Sequence, residues 1–364
     1  MVPIITNFQV SEIADPKLRK VLGRVVHEMK LTIEKVAAHH AKPNEFPLPS
    51  DPNSTEHILA TRFMVLPQGF KDRAGAKALE RINVPATAHQ RQRDDLFAVN
   101  LKASVAIGAQ VRALPMPAAL KFTPDELAIL IGPILVTTTP PRLTRLELRL
   151  HKVRCVDETG GWFGERSGND EIDLGGTAVD ETGDTHVITK FRVGSDFNDG
   201  KEVVYSPPQQ FTLFNLTEGA QYPKSYFVTL VLAEADMGGL SEFLNKLLEK
   251  VREKVTAALI AAFGGMIGAS GGPVGFIIGV AVGYVVGEVF KLFKSVWADE
   301  IFQPVTVGVN ITSLNAQWPG SRTDSPEGVA TFVGHDGIYE VTYDWRMFST
   351  LLDQVSPVPP VVLR

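Results

Sequence analysis

Apolar residues recur at helical intervals in several parts of the chain. After Asp15 and a first-turn proline, which are typical of a helix start, apolar positions return every three or four residues up to His39 and predict one long amphipathic helix. Thr123 and Glu126 form a capping-box pattern that predicts a short helix. The same spacing over 240–254 predicts a second long amphipathic helix, which leads directly into a segment without charges.

From Leu143 onward the pattern changes to the alternation of apolar and polar residues that is typical of half-buried strands. The alternation changes phase at Val153, which predicts a β-bulge. Two earlier segments, 58–66 and 99–111, also predict strands, and 73–82 predicts short helical turns. The remaining predicted strands are 186–193, 202–205, 211–216, 226–233, 305–311, 328–333 and 338–343.

Short strands separated by Gly, Asp and Asn turns are typical of a sandwich. The predicted fold class is therefore α+β: an antiparallel β-sandwich with an N-terminal helical region and an inserted glycine-rich apolar helical hairpin. The predicted regions are an N-terminal α/β region with the long amphipathic helix (1–140), the first part of the sandwich (141–236), the amphipathic helix with the hairpin (237–300), and the completion of the sandwich with a proline-rich tail (301–364).

The segment 255–287 contains nine glycines and no charged residue. Five of the glycines recur at every fourth position from Gly271 to Gly287, which places them on one face of a helix. A glycine in a helix interior costs ~1 kcal/mol relative to alanine, so nine forfeit roughly 9 kcal/mol of helix preference, and close backbone packing must offset that loss. Pro273 predicts a break into two arms, the first ending near Ser270.

We interpret this segment as a glycine zipper that enters a lipid membrane. The predicted function is a membrane-active, non-enzymatic protein of the pore-forming or membrane-inserting toxin or effector class. Each arm has about 15 residues, fewer than the ~20 that cross a bilayer, so two alternatives stay open: a structural or assembly component with the hairpin buried in the fold, and a homo-oligomer interface. The predicted membrane-inserting residues are Gly264, Gly268, Gly271, Gly275, Gly279, Gly283, Gly287, Phe276, Ile277 and Ile278.

A set of acidic residues lies in or beside the predicted turns of the sandwich. Calcium prefers six to eight oxygen ligands, and loop carboxylates at one end of a sandwich can supply them. The alternative is that these are solvated turn residues, since Asp favours turns in any case. The predicted calcium ligands are Asp157, Asp170, Asp173, Asp196 and Asp199.

Residues 268–272 match the G-x-S-x-G pattern of a hydrolase nucleophile elbow around Ser270, and His335 follows in suitable order for a catalytic base. The elbow requires a β-strand just before the serine, whereas the preceding residues are rich in alanine and glycine. A serine hydrolase is therefore the second alternative function, and we expect no catalytic residues in the main interpretation.

The charge and cysteine content narrow the classes of partner. The net charge is −5, the pI is about 5.9, and no basic stripe occurs, so we expect no nucleic-acid partner. The single cysteine, Cys155, excludes an intrachain disulfide. The first residues lack the pattern of a signal peptide, so we expect synthesis in the cytoplasm, export by a non-classical route and membrane association at the target.

Overall fold

The computed structural model describes residues 5–9, 13–83, 96–132, 135–136, 143–158, 170–218, 221–234, 240–264, 273–297, 302–313, 316–320, 323–334 and 337–349. The helices are α1 (Pro16–Ala41), α2 (Thr55–Met64), α3 (Gln68–Asn83), α4 (Ile107–Ala113), α5 (Pro124–Ile131), α6 (Leu240–Phe263) and α7 (Pro273–Trp297), with a 3₁₀ turn at Ala118–Leu120. The strands are β1 (Ile5–Gln9), β2 (Leu135–Val136), β3 (Leu143–Asp157), β4 (Asp170–Val179), β5 (Thr185–Phe197), β6 (Glu202–Asn215), β7 (Gln221–Tyr222), β8 (Lys224–Glu234), β9 (Val305–Ile311), β10 (Gly328–Gly334) and β11 (Gly337–Ser349).

The predicted helix starts are confirmed together with their capping contacts. The Asp15 carboxylate accepts a hydrogen bond from the Leu18 amide, and Pro16 occupies the first position of α1. At α5 the Thr123 hydroxyl accepts from the Glu126 amide, and the Glu126 carboxylate accepts from the Thr123 amide. Each cap satisfies backbone donors that a helix leaves unpaired at its first turn.

The predicted strand at 58–66 is wrong, because this segment lies in helix α2. The Ser54 side chain accepts a hydrogen bond from the His57 amide and so caps the helix. Leu59 and Phe63, four positions apart, are both fully buried, which is the spacing of a helix face. A cap and one apolar stripe outweighed the β-branched residues of the segment.

The predicted strand at 99–111 is also wrong, since the segment forms turns followed by the short helix α4. Two buried charged side chains hold this backbone. Lys35 of α1 donates to the carbonyl oxygens of Ala103, at 2.6 Å, and Val105, at 3.3 Å. The Glu56 carboxylate accepts from the Ile107 amide at 2.6 Å, at the first turn of α4. These partners lie far away in the sequence, so the local alternation was misleading.

The described strands form two large antiparallel sheets and one strand pair. The order is β1-β9-β8-β4-β5 in the five-stranded sheet and β10-β11-β3-β6 in the four-stranded sheet, and β2 pairs with β7. The bulge predicted near Val153 is confirmed by a register shift between Leu150 and Lys152. The segments 202–205 and 211–216, predicted as two strands, belong mostly to the single long strand β6.

Two hydrophobic cores lie on opposite faces of the five-stranded sheet. Along β8, Phe227 and Val231 belong to the core shared with the helices, whereas Tyr226 and Val228 belong to the core shared with the four-stranded sheet. This division follows from the period of two along a strand. The chain is thus a mixed α and β protein in which the helices and the second sheet cover the two faces of one sheet.

Helices α6 and α7 contact each other, and the ring centroids of Phe243, near the start of α6, and Phe293, near the end of α7, are 6.3 Å apart. The amphipathic and apolar parts of α6 form one continuous helix, as predicted. This helix ends at Phe263, earlier than the predicted end near Ser270, and Gly264 follows with a φ of +62°. The predicted end of the first arm, near Ser270, lies outside the described residues.

Candidate functional site: the sheathed glycine-rich helix

Helix α7 is strongly apolar and is covered by other elements on several sides. Its only charged residues are Glu288, Lys291 and Lys294, all in its C-terminal half. It contacts α1, α3, α5 and α6 in the helical layer, and β8 and β9 of the five-stranded sheet. Its fully or nearly fully buried side chains are Ile277, Ile278, Ala281, Val282, Val285, Val286, Val289, Phe290 and Phe293.

The glycines of α7 differ in what surrounds them. A Cβ atom added to buried Gly279 would overlap the ring of Phe227 on β8, so this glycine lets the helix lie directly on the sheet. Gly283 is also buried. Gly287 is half-exposed, and a Cβ atom added there would have no neighbour within 4 Å. The packing of the folded chain therefore requires a glycine at 279 but not at 287.

The other predicted membrane-inserting positions are only partly described. Ile277 and Ile278 are buried, and Gly264 is exposed just after the end of α6. Gly275 and Phe276 lie in α7, whereas Gly268 and Gly271 lie outside the described residues. Within the described part of the chain, no helix combines the length and the apolar character needed to span a bilayer.

The turn that joins β4 to β5 contacts both α6 and α7. Arg252 of α6 donates to the Gly183 carbonyl oxygen from Nε at 3.1 Å and from Nη2 at 2.7 Å, and to the Thr185 hydroxyl at 2.8 Å. A Cβ atom on Gly183, whose φ is +84°, would lie 2.9 Å from the Cδ1 atom of Ile278 in α7. One short turn of the sheet is thus fitted against both helices.

The same turn carries Glu181, whose side chain is buried behind it. Glu181 and Lys224 are each 1% exposed, and the Lys224 Nζ lies 3.5 Å from a Glu181 carboxylate oxygen. Lys224 also donates to the carbonyl oxygens of Leu216, at 2.7 Å, and Glu218. Lys224 therefore has acceptors that do not depend on Glu181.

Burial dominates the protonation of this cluster. It raises the pKa of Glu181, although the nearby Tyr226 hydroxyl, the Glu181 backbone amide and Lys224 act in the opposite direction. Burial likewise lowers the pKa of Lys224 and raises that of Tyr226 well above its ordinary value. The Tyr226 hydroxyl lies beside Glu181 but outside hydrogen-bond geometry, and among the described residues neither Glu181 oxygen has a hydrogen-bond partner. Ionised Glu181 is therefore poorly compensated.

A second charged contact fastens α6 to α1. Lys254 of α6 donates to the Glu28 carboxylate of α1, and both side chains are buried. Gly108, at the start of α4, packs directly against this pair. A Cβ atom at this position would lie 2.8 Å from the Lys254 Nζ and 3.0 Å from the Glu28 oxygen. A buried pair contributes little net stability, but separating its partners is costly.

The aspartates predicted to bind calcium are distributed over both large sheets. Asp173 receives hydrogen bonds from Lys190 at 2.8 Å and Arg192 at 2.7 Å. Burial opposes ionisation of Asp173, but these two cations outweigh it and lower the pKa. The Asp199 carboxylate accepts from the Glu158 amide at 2.7 Å. These hydrogen bonds are accepted by the same carboxylate oxygens that would have to bind a calcium ion.

The remaining aspartates occupy strand ends. Asp157 pairs with Ile338 on the four-stranded sheet, whereas Asp170 pairs with Phe197 on the five-stranded sheet, next to Asp196. Among the described residues, no group of three or more His, Cys, Asp or Glu side chains is arranged to hold a metal ion. Calcium binding stays a hypothesis without support from these contacts.

The serine-hydrolase residues Ser270 and His335 lie outside the described residues. The last described element before Ser270 is helix α6, which runs to Phe263, whereas a nucleophile elbow follows a strand. The local context therefore disagrees with the hydrolase alternative.

Sequence reasoning missed the charged contacts that hold the two helices. Arg252 and Lys254 belong to the polar face of a predicted amphipathic helix, and such residues are usually solvated. Glu181 lies in a sequence typical of a turn, so no local pattern indicates that its side chain is buried. The sequence contains only an indirect indication of these contacts. An apolar segment this rich in glycine requires close packing against other elements to form a stable helix.

Comparisons with known proteins return nothing: no family model, curated protein or solved structure matches the chain. The function must therefore be inferred from the helix and its contacts.

Proposed function

We propose that this chain is a membrane-active, non-enzymatic protein of the pore-forming or membrane-inserting toxin or effector class. In this proposal α6 and α7 form a helical hairpin, inserted between the strands of a β-sandwich and stored against one of its sheets. The hairpin leaves its sheath and inserts into a lipid bilayer at the target. Its glycine face then packs against lipid or against the same face of a second copy.

The observation that carries the proposal is the contrast between Gly279 and Gly287. Each glycine costs the helix ~1 kcal/mol relative to alanine. Close packing against Phe227 offsets that cost at Gly279, but nothing within 4 Å does so at Gly287. The contact with Phe227 thus explains the glycine at position 279. In the stored form no contact among the described residues explains why the series continues to Gly287. A second packing arrangement, in which Gly287 also faces a close neighbour, accounts for the rest of the series.

The way in which the helices are fastened also supports storage. Lys254 pairs with Glu28, and Arg252 donates to Gly183 and Thr185, so polar contacts fix α6 to elements on two sides. The hydrogen bonds of Arg252, which is partly exposed, can be replaced by hydrogen bonds to water at a modest net cost. The buried Lys254–Glu28 pair is costly to separate and so holds α6 against α1. The contacts that hold α6 in the folded chain are therefore made by identifiable residues, at which release can begin.

Dye release from liposomes tests the proposal with a matched pair of variants. Gly287→Leu places a bulky side chain on the glycine face, and Gly23→Leu does so in α1, where the glycine is also exposed with no neighbour within 4 Å. Both changes improve helix preference in the stored form to a similar extent. We expect Gly287→Leu to reduce leakage by about tenfold or more, as expected when ~1.4 kcal/mol of packing is lost, and Gly23→Leu to leak like the wild type.

Two outcomes would count against the proposal. One is a wild-type protein that releases no dye from anionic or neutral vesicles at any pH between about 5 and 8, the span over which buried carboxyl groups titrate. The other is equal leakage from the Gly287→Leu and Gly23→Leu proteins, because the glycine face would then have no role in the membrane.

The second candidate function is a structural or assembly component, and the Gly279–Phe227 contact favours it. At this position the glycine serves packing inside the chain, as expected for a permanently buried helix. A homo-oligomer that uses the half-exposed face at Gly287 is the related form of this alternative. A wild-type protein that stays monomeric and does not float with vesicles supports burial, and a defined oligomer that Gly287→Leu dissociates supports the subunit contact.

A further inference from the structure

The turn between β4 and β5 is built as a rigid unit. The Asp180 carboxylate accepts hydrogen bonds from the Thr182 amide, the Thr182 hydroxyl and the Asp184 amide, at 2.9, 2.6 and 2.9 Å. Gly183 adopts a left-handed conformation with φ +84°. These hydrogen bonds connect Asp180, Thr182 and Asp184, on both sides of Glu181 and Gly183, within one compact turn.

One side of this turn faces the helix pair and the other faces a buried charge. Arg252 of α6 and Ile278 of α7 contact the turn at Gly183. Glu181 projects from the same turn into a space where it is 1% exposed, with Lys224 at 3.5 Å. If the turn moves away from the helices, Glu181 leaves this space and becomes hydrated.

Several titratable groups act on Glu181, and burial outweighs those that favour its ionised form. From β7 and β8 these are Tyr222, Lys224 and Tyr226, and from its own turn Asp180. Glu218 acts on Lys224, and His186 of β5 is influenced by Asp180. From the helices the turn meets cationic Arg252 and apolar Ile278. A single lysine, already shared with two carbonyl groups, is the only buried cation beside this carboxylate among the described residues.

We infer that residues 180–185 form a protonation-controlled clamp on α6 and α7, which holds the helices more tightly when Glu181 is neutral and releases them more readily when Glu181 is ionised. The reason is that the ionised side chain gains hydration when the turn opens, whereas the neutral side chain fits the buried space. The raised pKa of Glu181 has the matching sign, because it means that the closed form binds the proton more strongly than the open form. This inference rests on the proposed function only for its biological purpose.

Hydrogen exchange of the full chain without lipid tests the clamp. Exchange in α6 and α7 is measured at about pH 5 and pH 8 and corrected for the intrinsic pH dependence of exchange. We expect wild-type α6 and α7 to open about three- to tenfold more often at the higher pH, because ionisation of Glu181 favours the open turn. The Glu181→Gln protein should show the slow opening at both pH values.

Asp184→Asn is the matched control, because this side chain lies in the same turn but is 83% exposed, 3.7 Å from Arg252. It should keep the wild-type pH dependence. Arg252→Ala removes the hydrogen bonds to the turn and should give fast opening at both pH values. A wild type without pH dependence overturns the clamp, as does a Glu181→Gln protein that keeps it. A Glu181→Gln protein that fails to fold also overturns it, because the neutral side chain is inferred to fit.

The clamp and the membrane function can fail separately. If the exchange pattern appears but no vesicle leaks, the clamp stands and the membrane function is wrong. If vesicles leak as proposed but exchange does not depend on Glu181, the membrane function stands and the clamp is wrong.

Discussion

The ring of Phe227 fills the space that a side chain at position 279 would need, so α7 rests on the five-stranded sheet through the backbone of Gly279. This contact lies between a strand and a helix that are separated in the sequence by the whole of α6. It makes the position of α7 on the sheet depend on one glycine and one aromatic ring.

The first prediction concerns this contact. Gly279→Ala should destabilise the folded protein by about 1–3 kcal/mol, because the added methyl group overpacks the site. Gly287→Ala, with open space around it, should instead stabilise by up to about 1 kcal/mol. Urea denaturation of both proteins measures the difference. Adding Phe227→Leu to Gly279→Ala should recover part of the loss, and equal effects at 279 and 287 would contradict the contact.

The second prediction concerns the buried pair between α1 and α6. Glu28→Gln leaves Lys254 buried without its anion and should cost about 3–5 kcal/mol of unfolding free energy. The double variant Glu28→Leu with Lys254→Met should recover most of this loss, because no charge stays buried. Glu242→Gln removes an exposed partner of Lys246 on the same helix and serves as the control, with no measurable change expected.

The third prediction concerns pH and thermal stability. The pKa of Glu181 is raised in the folded protein above 4.5, so the folded form binds the proton more strongly, and stability falls as pH rises from 4.5 through the folded pKa. Thermal midpoints of the wild type and Glu181→Gln should therefore be similar near the lower end of this window and diverge as pH rises, with Glu181→Gln more stable. A wild type that gains stability relative to Glu181→Gln across this window would contradict the sign.

The fourth prediction separates a structural role of Asp173 from a metal-binding role. Its pKa is lowered in the folded protein despite burial, because Lys190 and Arg192 bind it, so its contribution is present above pH 3.8 and is lost as pH falls below. Asp173→Asn should cost about 1 kcal/mol at neutral pH, since both partners are half-exposed, and the difference from the wild type should vanish in acid.

Calcium gives the complementary measurement. We expect its addition to leave the difference in thermal midpoint between wild type and Asp173→Asn unchanged, because both carboxylate oxygens are already bound by cations. A calcium-dependent stabilisation that Asp173→Asn abolishes would restore Asp173 as a metal ligand.

Local signals in the sequence predicted the parts of the fold that depend on local physics. Asp15 with its following proline predicted α1, and Thr123 with Glu126 predicted α5, because a cap and the helix it starts lie within one turn. The strand β9 at Val305–Ile311 was predicted with the bounds that the structure has. The apolar spacing of α6 and the start of α7 at Pro273 were also predicted.

The contacts that distinguish the candidate site depend on distant partners and could not be predicted in this way. Glu181 meets Lys224 across strands β5, β6 and β7, and Lys254 meets Glu28 across more than 200 residues of the sequence. The same limitation explains the wrong strand at 99–111, which buried Lys35 and Glu56 hold as turns and a short helix. The sequence indicates that such residues are charged, but not that they are buried.

The pairing of β1 with β9 sets an order of assembly. Ile5 lies opposite Asn310, so the edge of the five-stranded sheet is complete only after β9 has left the ribosome. Helix α7 is synthesised before β9, and for that interval its apolar surface lacks part of the sheet that later covers it. A nascent chain at this stage exposes part of an apolar helix, which makes it more prone to aggregation than the finished fold.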